Sequence, residues 1–176
     1  MHVLITNIHG NPNVGLYGFA NDHFCLLGQE VPDEIAKQIG KVLQVPVHKI
    51  QLCGTSLIGV FCAGNNKSIV LPDIVFDHEQ ETLKELNIPF TIIKTKYTAL
   101  GNNLVCNDQG CLASTELSSD NKKRIREALC VPLKPGTLGD LTIVGSCAVV
   151  NGEHALVHKD ATDKEIAYME DLLGVE

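Results

Sequence analysis

The sequence predicts an α/β fold, a single domain of strand-strand-helix-strand units set around a pseudo-symmetry axis. Three observations carry that expectation. Gly15, Gly59, Gly101 and Gly145 are spaced by 44, 42 and 44 residues. Each is followed six residues later by an asparagine: Asn21, Asn65, Asn107 and Asn151. Eighteen residues after each glycine stands Asp33, Asp77, Ser119 or Asp163, residue types favoured at helix N-caps. Self-similarity at a fixed period of roughly 20–50 residues marks a repeat architecture. The units run over about 13–54, 55–98, 99–141 and 142–176, within one domain covering 1–176.

Each unit opens with two apolar runs around a polar turn: GLYGFA-ND-HFCLLG, GVFCAG-NNK-SIVLP, NNLVC-NDQG-CLAS and SCAVV-NGE-HALVH. The repeat glycines let backbones approach or kink a strand, and Asn21, Asn65, Asn107 and Asn151 make the hairpin turns. A helix follows each hairpin, with apolar residues at helical spacing. They are Ile35, Ile39, Val42 and Leu43, then Leu83 and Leu86, then Ile125, Ala128 and Leu129, then Ile166, Met169, Leu172 and Leu173. The first three helices end in Leu43-Gln44-Val45-Pro46, Leu86-Asn87-Ile88-Pro89 and Leu129-Cys130-Val131-Pro132. Proline cannot continue a helix and biases the residue before it towards extended geometry, so a return strand comes next.

Composition narrows the function. The chain has 176 residues, 44% of them apolar, which suits one soluble domain with a sizeable core. A formal charge of −7 speaks against broad binding to nucleic-acid backbones. The longest basic cluster, Lys122, Lys123, Arg124 and Arg126, reads as the solvated side of a helix. MHVLITNIHG lacks the basic start and long apolar core of a signal peptide, and no apolar run reaches about 18 residues, so a cytoplasmic protein without membrane contact is expected. Seven cysteines, an odd number, suit free thiols in a reducing compartment.

Cys106 and Cys111 flank the third unit's turn and could face each other across it. The same phases hold Ala20 and Cys25, Gly64 and Ile69, and Val150 and Ala155, so this pair reads as apolar framework and no metal site or cofactor is expected. His154 and His158 share one strand face with no acid or nucleophile in view and read as surface residues. Asn102 and Asn103 interrupt a pattern that elsewhere holds Leu16 and Tyr17, Val60 and Phe61, or Ser146 and Cys147. They suggest a strand end exposed to a partner.

A period of 42 to 44 matches a WD40 blade in length, but those blades contain no helix, and two-helix repeats fail for the opposite reason. A ring of strand-strand-helix-strand units, strands lining the centre and helices outside, is the pentein-type β/α propeller. VGLYGFANDHFCLLG, TSLIGVFCAGNNKSIVLPDIV, TALGNNLVCNDQGCLASTEL and PGTLGDLTIVGSCAVVNGEHALVHKDATDKE together resemble the archaeal and eukaryotic translation initiation factor 6 family, nearer the archaeal form.

That resemblance implies a non-enzymatic factor that binds the large ribosomal subunit on its intersubunit side. The implied contact is a ribosomal protein next to the sarcin-ricin loop, with little direct nucleic-acid binding, and the bound factor sterically prevents premature joining of the small subunit. It also implies a role in large-subunit maturation. The family's ribosome-facing end lies near the starts of successive repeats, matched here by Leu16, Val60, Asn102, Asn103, Ser146 and Cys147. Asn102 is the foremost of these, because the family carries asparagine after the LG of its third repeat.

The family has five repeats, whereas four are found here, the last stopping at Leu173-Gly174-Val175-Glu176 where a proline and return strand are expected. An open ring has edges on its first and fourth units, which offer a route to self-association. Two other readings stand beside the ribosomal one. The first is a repeat scaffold that has lost ribosome binding. The second is a pentein guanidine-modifying enzyme, which needs a late cysteine nucleophile, and Cys147 is the last cysteine in the chain.

Overall fold

The computed structural model describes residues 3–176. The first unit runs from a short 3-10 turn, Val14–Tyr17, through β1 (Gly18–Ala20), β2 (Cys25–Gly28) and α1 (Asp33–Leu43) to β3 (Val47–Ile50). The second comprises α2 (Ile58–Phe61), β4 (Ala63–Gly64), β5 (Ile69–Pro72), α3 (Asp77–Glu85) and β6 (Phe90–Ile93). The third comprises α4 (Leu100–Asn103), β7 (Leu104–Cys106), β8 (Cys111–Ser114), α5 (Ser119–Leu129) and β9 (Leu133–Gly136). The fourth holds α6 (Val144–Cys147), β10 (Ala148–Asn151), β11 (His154–Val157) and α7 (Asp163–Leu173).

Within each of the first three units the second strand is central, antiparallel to the first and parallel to the third. The central runs CLLG, IVLP and CLAS are buried at every position, as strands covered on both faces require. The parallel register starts at one recurring bond. The N–H of Cys25, Ile69 and Cys111 donates to the carbonyl of Pro46, Pro89 and Pro132 at 2.8, 3.0 and 2.9 Å, and that of Ala155 donates to Glu176 at 3.0 Å.

Three of the four apolar clusters span neighbouring units, whereas the fourth, around Cys25, Leu27, Val31 and Ala36, belongs to the first unit and Ile8 before it. Leu26 packs with Ile58 and Cys62, Val70 with Leu100 and Leu104, and Leu112 with Val144 and Cys147. Each of these side chains sits in a central strand and is covered by the helical turn that opens the next unit. All three are 0% exposed, whereas Leu156, at the same phase of the fourth unit, is 78% exposed beside its cross-strand partner Val149. At the other end of the array, Phe19, Leu27, Ile39 and Val42 line an open apolar groove beside Gly15.

Two local expectations need correction. The apolar runs led by Gly15, Gly59, Gly101 and Gly145 were expected to be strands from their start; each begins instead with one helical turn. The turn is closed by the amide after the glycine. Leu16 donates to Asn13, Val60 to Leu57, Asn102 to Ala99 and Ser146 to Ile143, at 3.1, 3.1, 3.1 and 2.9 Å. Asp33, Asp77, Ser119 and Asp163 are first helical residues rather than N-caps, which fall one residue earlier at Pro32, Phe76, Ser118 and Thr162. Acidic residues suit that first turn because its unpaired N–H groups carry partial positive charge. The helices of units one, three and four then end on left-handed residues, Gln44, Cys130 and Gly174, with φ of 58, 54 and 62°, whereas α3 is capped by right-handed Leu86 with Asn87 left-handed after it, at φ 56°.

Candidate functional site

Residues near the repeat starts are brought together by the helical turns. These turns stack in series because glycine permits it. A Cβ on Gly59 would lie 1.8 Å from the Gly15 carbonyl oxygen, one on Gly101 1.9 Å from that of Gly59, and one on Gly145 2.0 Å from that of Gly101. No side chain fits at these three positions, whereas a Cβ on Gly15 would meet nothing within 4 Å. The residues following the glycines are therefore displayed as a series. Leu16, Val60 and Asn102 are partly exposed and Ser146 is exposed.

Asn103 and Cys147 do not belong to that display. Both are 6% exposed. The expectation of an exposed asparagine pair fails at Asn103, whose side-chain amide donates to the Ala99 carbonyl at 2.7 Å and so closes its own helical turn. Cys147 packs with Val105, Leu112 and Val144.

The opposite ends of the inner strands carry the hairpin turns, and four of these converge on a cavity of about 330 Å³. Each of the first three asparagines does two jobs here. Its Oδ1 accepts from the amides two and three residues on: His23 and Phe24 for Asn21, Lys67 and Ser68 for Asn65, Gln109 and Gly110 for Asn107, all within 2.9–3.2 Å. Its Nδ2 reaches forward into the next unit. Asn21 donates to the Asn65 carbonyl, Asn65 to those of Asn107 and Leu129, and Asn107 to that of Leu173, at 3.1, 3.3, 3.0 and 2.7 Å. Asn151 lies at the end of β10, opposite His154, and the turn beyond it uses Gly152 at φ 62°. Asn66 bridges Asp22 and Asp108, its Nδ2 donating to a carboxylate oxygen of each at 2.8 and 2.6 Å.

Two carboxylates brace the loops between units. Glu79, 3% exposed, accepts from the amides of Cys53 and Gly54, both at 2.8 Å, and of Phe76 at 3.0 Å. Glu165 accepts from the Thr137 hydroxyl at 2.6 Å, from the Thr162 amide and hydroxyl at 2.9 Å each, and from the Gly139 amide at 3.0 Å. The Thr137 bond, with the Thr162 and Gly139 bonds behind it, holds the Glu165 carboxyl down at about 2. Both clamps escaped the sequence reading. A glutamate third in its helix, at the same phase of units two and four, is the signal that could have exposed them.

Cys25, Cys53, Cys62, Cys111 and Cys147 are poor nucleophiles. Burial pushes the Cys25 thiol up to about 11, raises that of Cys62 further and raises that of Cys111 as well; burial with Glu79 nearby takes Cys53 to about 12. Cys147, the last cysteine in the chain, is also raised, by burial and then by Glu165. That is the wrong direction for a thiolate. His158 meets it only through the main chain, its N–H donating to the Cys147 carbonyl at 2.7 Å. His158 lies just past β11 and beside Asp160, and His154 lies beside Glu176; both histidines are exposed. Among the described residues there is no group of three or more His, Cys, Asp or Glu able to hold a metal ion, and no helix long and apolar enough to cross a membrane.

The model of the eIF-6 family matches residues 3–176. Proteins named Translation initiation factor 6 resemble the chain over its length. That of Thermococcus onnurineus is 32% identical over 182 residues, covering 100% of this chain and 80% of its own. That of Staphylothermus marinus is 34% identical over 179 residues, covering 99% of this chain and 79% of its own. That of Pyrococcus abyssi is 34% identical over 182 residues, with coverage of 100% and 80%.

Among solved structures, the chain is similar to DDAH from Pseudomonas aeruginosa, a cysteine-to-serine mutant complexed with citrulline. The TM-score is 0.57 at 12% identity, over 92% of this chain and 64% of that one. It is also similar to the N-terminal domain of ArgZ, an arginine dihydrolase from the ornithine-ammonia cycle in cyanobacteria, with a TM-score of 0.52 at 16% identity, over 74% of this chain and 51% of that one. At such low identity the likeness concerns the fold alone, which is the pentein type.

Proposed function

The chain belongs to the eIF-6 family, and on that premise we propose that it binds the large ribosomal subunit on its intersubunit face and prevents premature association with the small subunit. Its relatives are translation initiation factors, and a role in translation initiation follows from them. The finer reading extends to large-subunit maturation, a cytoplasmic site of action and the absence of any catalysis.

The observation that carries the proposal is the unbroken match through all four units, from residue 3 to residue 176. Physically, anti-association needs no titrating group. A rigid array that occupies one subunit's docking surface excludes the other for as long as it stays bound, so interface size and lifetime set its potency. Leu16, Val60, Asn102 and Ser146, held in series by the stacked glycine turns, are the side chains proposed to meet the ribosome. The partner is a ribosomal protein next to the sarcin-ricin loop, and a chain of net charge −7 is electrostatically suited to a basic protein.

The test is a subunit-joining assay with purified archaeal subunits. Preincubating large subunits with this chain is expected to lower the yield of joined ribosomes in proportion to occupancy. An unchanged yield at saturating occupancy would reject anti-association while leaving binding intact.

A further inference from the structure

Cys106 and Cys111 are direct cross-strand partners in the β7–β8 hairpin, and their Sγ atoms are 2.8 Å apart. Carbon atoms in van der Waals contact sit at about 3.5–4.0 Å. Residues directly opposite in antiparallel strands have Cα atoms about 4.5 or 5.5 Å apart, and both distances fall inside the range a disulfide spans. Little movement separates these two free thiols from a bond.

Apolar pairs fill these positions in the other units, and only the third unit sets two sulfurs against each other. The other units place Ala20 opposite Cys25, Gly64 opposite Ile69 and Val150 opposite Ala155. The two thiols also differ in access. Cys111 is fully buried, whereas Cys106 is partly exposed and lines the cavity where the hairpin turns converge.

We propose that Cys106 and Cys111 are a reversible redox pair, oxidised to an intramolecular disulfide by low-molecular-weight disulfides entering that cavity. The Cys106 thiolate attacks one sulfur of the small disulfide, forming a mixed disulfide and expelling one thiolate. The Cys111 sulfur then attacks the Cys106 sulfur, losing its proton and releasing the second small thiol. The two protein thiols are oxidised by two electrons, and the small disulfide is reduced to two thiols. Burial raises the Cys111 thiol, with Cys106 adding to the effect, so the first attack falls to Cys106 on the cavity wall. Oxidation fastens the hairpin whose turn carries Asn107, bonded to Leu173, and Asp108, bonded to Asn66.

The test uses the full chain, folded, with hydroxyethyl disulfide as a neutral probe, because Asp22, Asp108 and Glu153 also line the cavity. After oxidation the chain is denatured, its remaining thiols are alkylated, and it is cut before Asp108, between the two cysteines. The expected result is that two of the seven thiols are lost to a link joining the fragments on either side of that cut, reversed by reduction, while exposed Cys130 carries the probe. In Cys106→Ala, which takes the residue found at Ala20, Cys111 is expected to remain a free thiol over the same period. The proposal is overturned by a lasting probe adduct on Cys106 with Cys111 still free, by a link from Cys106 to Cys62, or by reaction confined to Cys130.

Discussion

Gly101 lies so close to Gly59 that a Cβ on it would stand 1.9 Å from the Gly59 carbonyl oxygen. The obstacle is backbone, which cannot rotate away as a side-chain tip can. Gly101→Ala is therefore expected to cost about 3 kcal/mol or more, at or above the top of the usual overpacking range. Gly15→Ala, where the same atom meets open space, is expected to change stability by no more than about 1 kcal/mol. Denaturant unfolding midpoints of the two variants check the contrast, and equal losses would refute the stacking role of the glycine turns.

Asn65 is 4% exposed and bonds both its own turn and the following unit. Asn65→Ala leaves the carbonyls of Asn107 and Leu129 without its amide, at a cost of about 1–3 kcal/mol for each unsatisfied buried group. Thermal unfolding is expected to shift clearly downward. Native-state hydrogen exchange should quicken at both unit two and unit three, because the lost bonds join them.

Much of this organisation was legible in the sequence, and the limits are instructive. Gly59, Gly101 and Gly145 and the turn asparagines Asn21, Asn65 and Asn107 announced the units because each answers a backbone demand that few residues meet, and Gly15 and Asn151 share their period. The prolines at 46, 89 and 132 likewise marked where each return strand begins. The helical turns at 14–17, 58–61, 100–103 and 144–147 were missed because a single turn is too short to show a helical period. Burial of Asn103 was missed for a related reason: its polar side chain is satisfied locally, by Ala99, which composition cannot reveal. Asparagine chemistry predicted the turns, but only the structure shows the amides reaching into the next unit.

Acid should weaken the fourth unit through Glu165. Its carboxyl is held at about 2 in the folded chain against an ordinary 4.5, so the charged form is favoured by folding. That contribution is complete above pH 4.5 and is lost as the pH falls to 2. Glu165→Gln is expected to be less stable than the parent at neutral pH, with the difference shrinking across that window. A difference that stayed constant down to pH 2 would show that the carboxylate's charge is not what the Thr137, Gly139 and Thr162 donors stabilise.

Val149 and Leu156 are 67% and 78% exposed on the hairpin that ends the array, and the groove beside Gly15 opens at the other. Apolar surface covered at every internal boundary, bare at Val149 and Leu156 and partly open in the groove, is expected to drive concentration-dependent self-association of this chain. Sedimentation velocity over a range of concentrations should show it, and Leu156→Lys should reduce it without loss of helical signal. A single protomer mass at all concentrations would dismiss the idea.

Asn102 and Asn103 separate binding from folding. Asn102→Ala is expected to weaken attachment to the large subunit about tenfold, or about 1.4 kcal/mol, with little change in stability. Asn103→Ala is expected to lower stability instead, since its buried amide closes the turn. Loss of stability in the first and loss of binding alone in the second would invert the assignment.

Co-sedimentation of the folded chain with purified archaeal large and small subunits, tested separately, addresses the ribosomal proposal most directly. The expected result is pelleting with large subunits alone, saturable and diminished by Asn102→Ala. Pelleting with neither subunit, or equally with both, by a chain whose fold is verified in the same buffer, would contradict it.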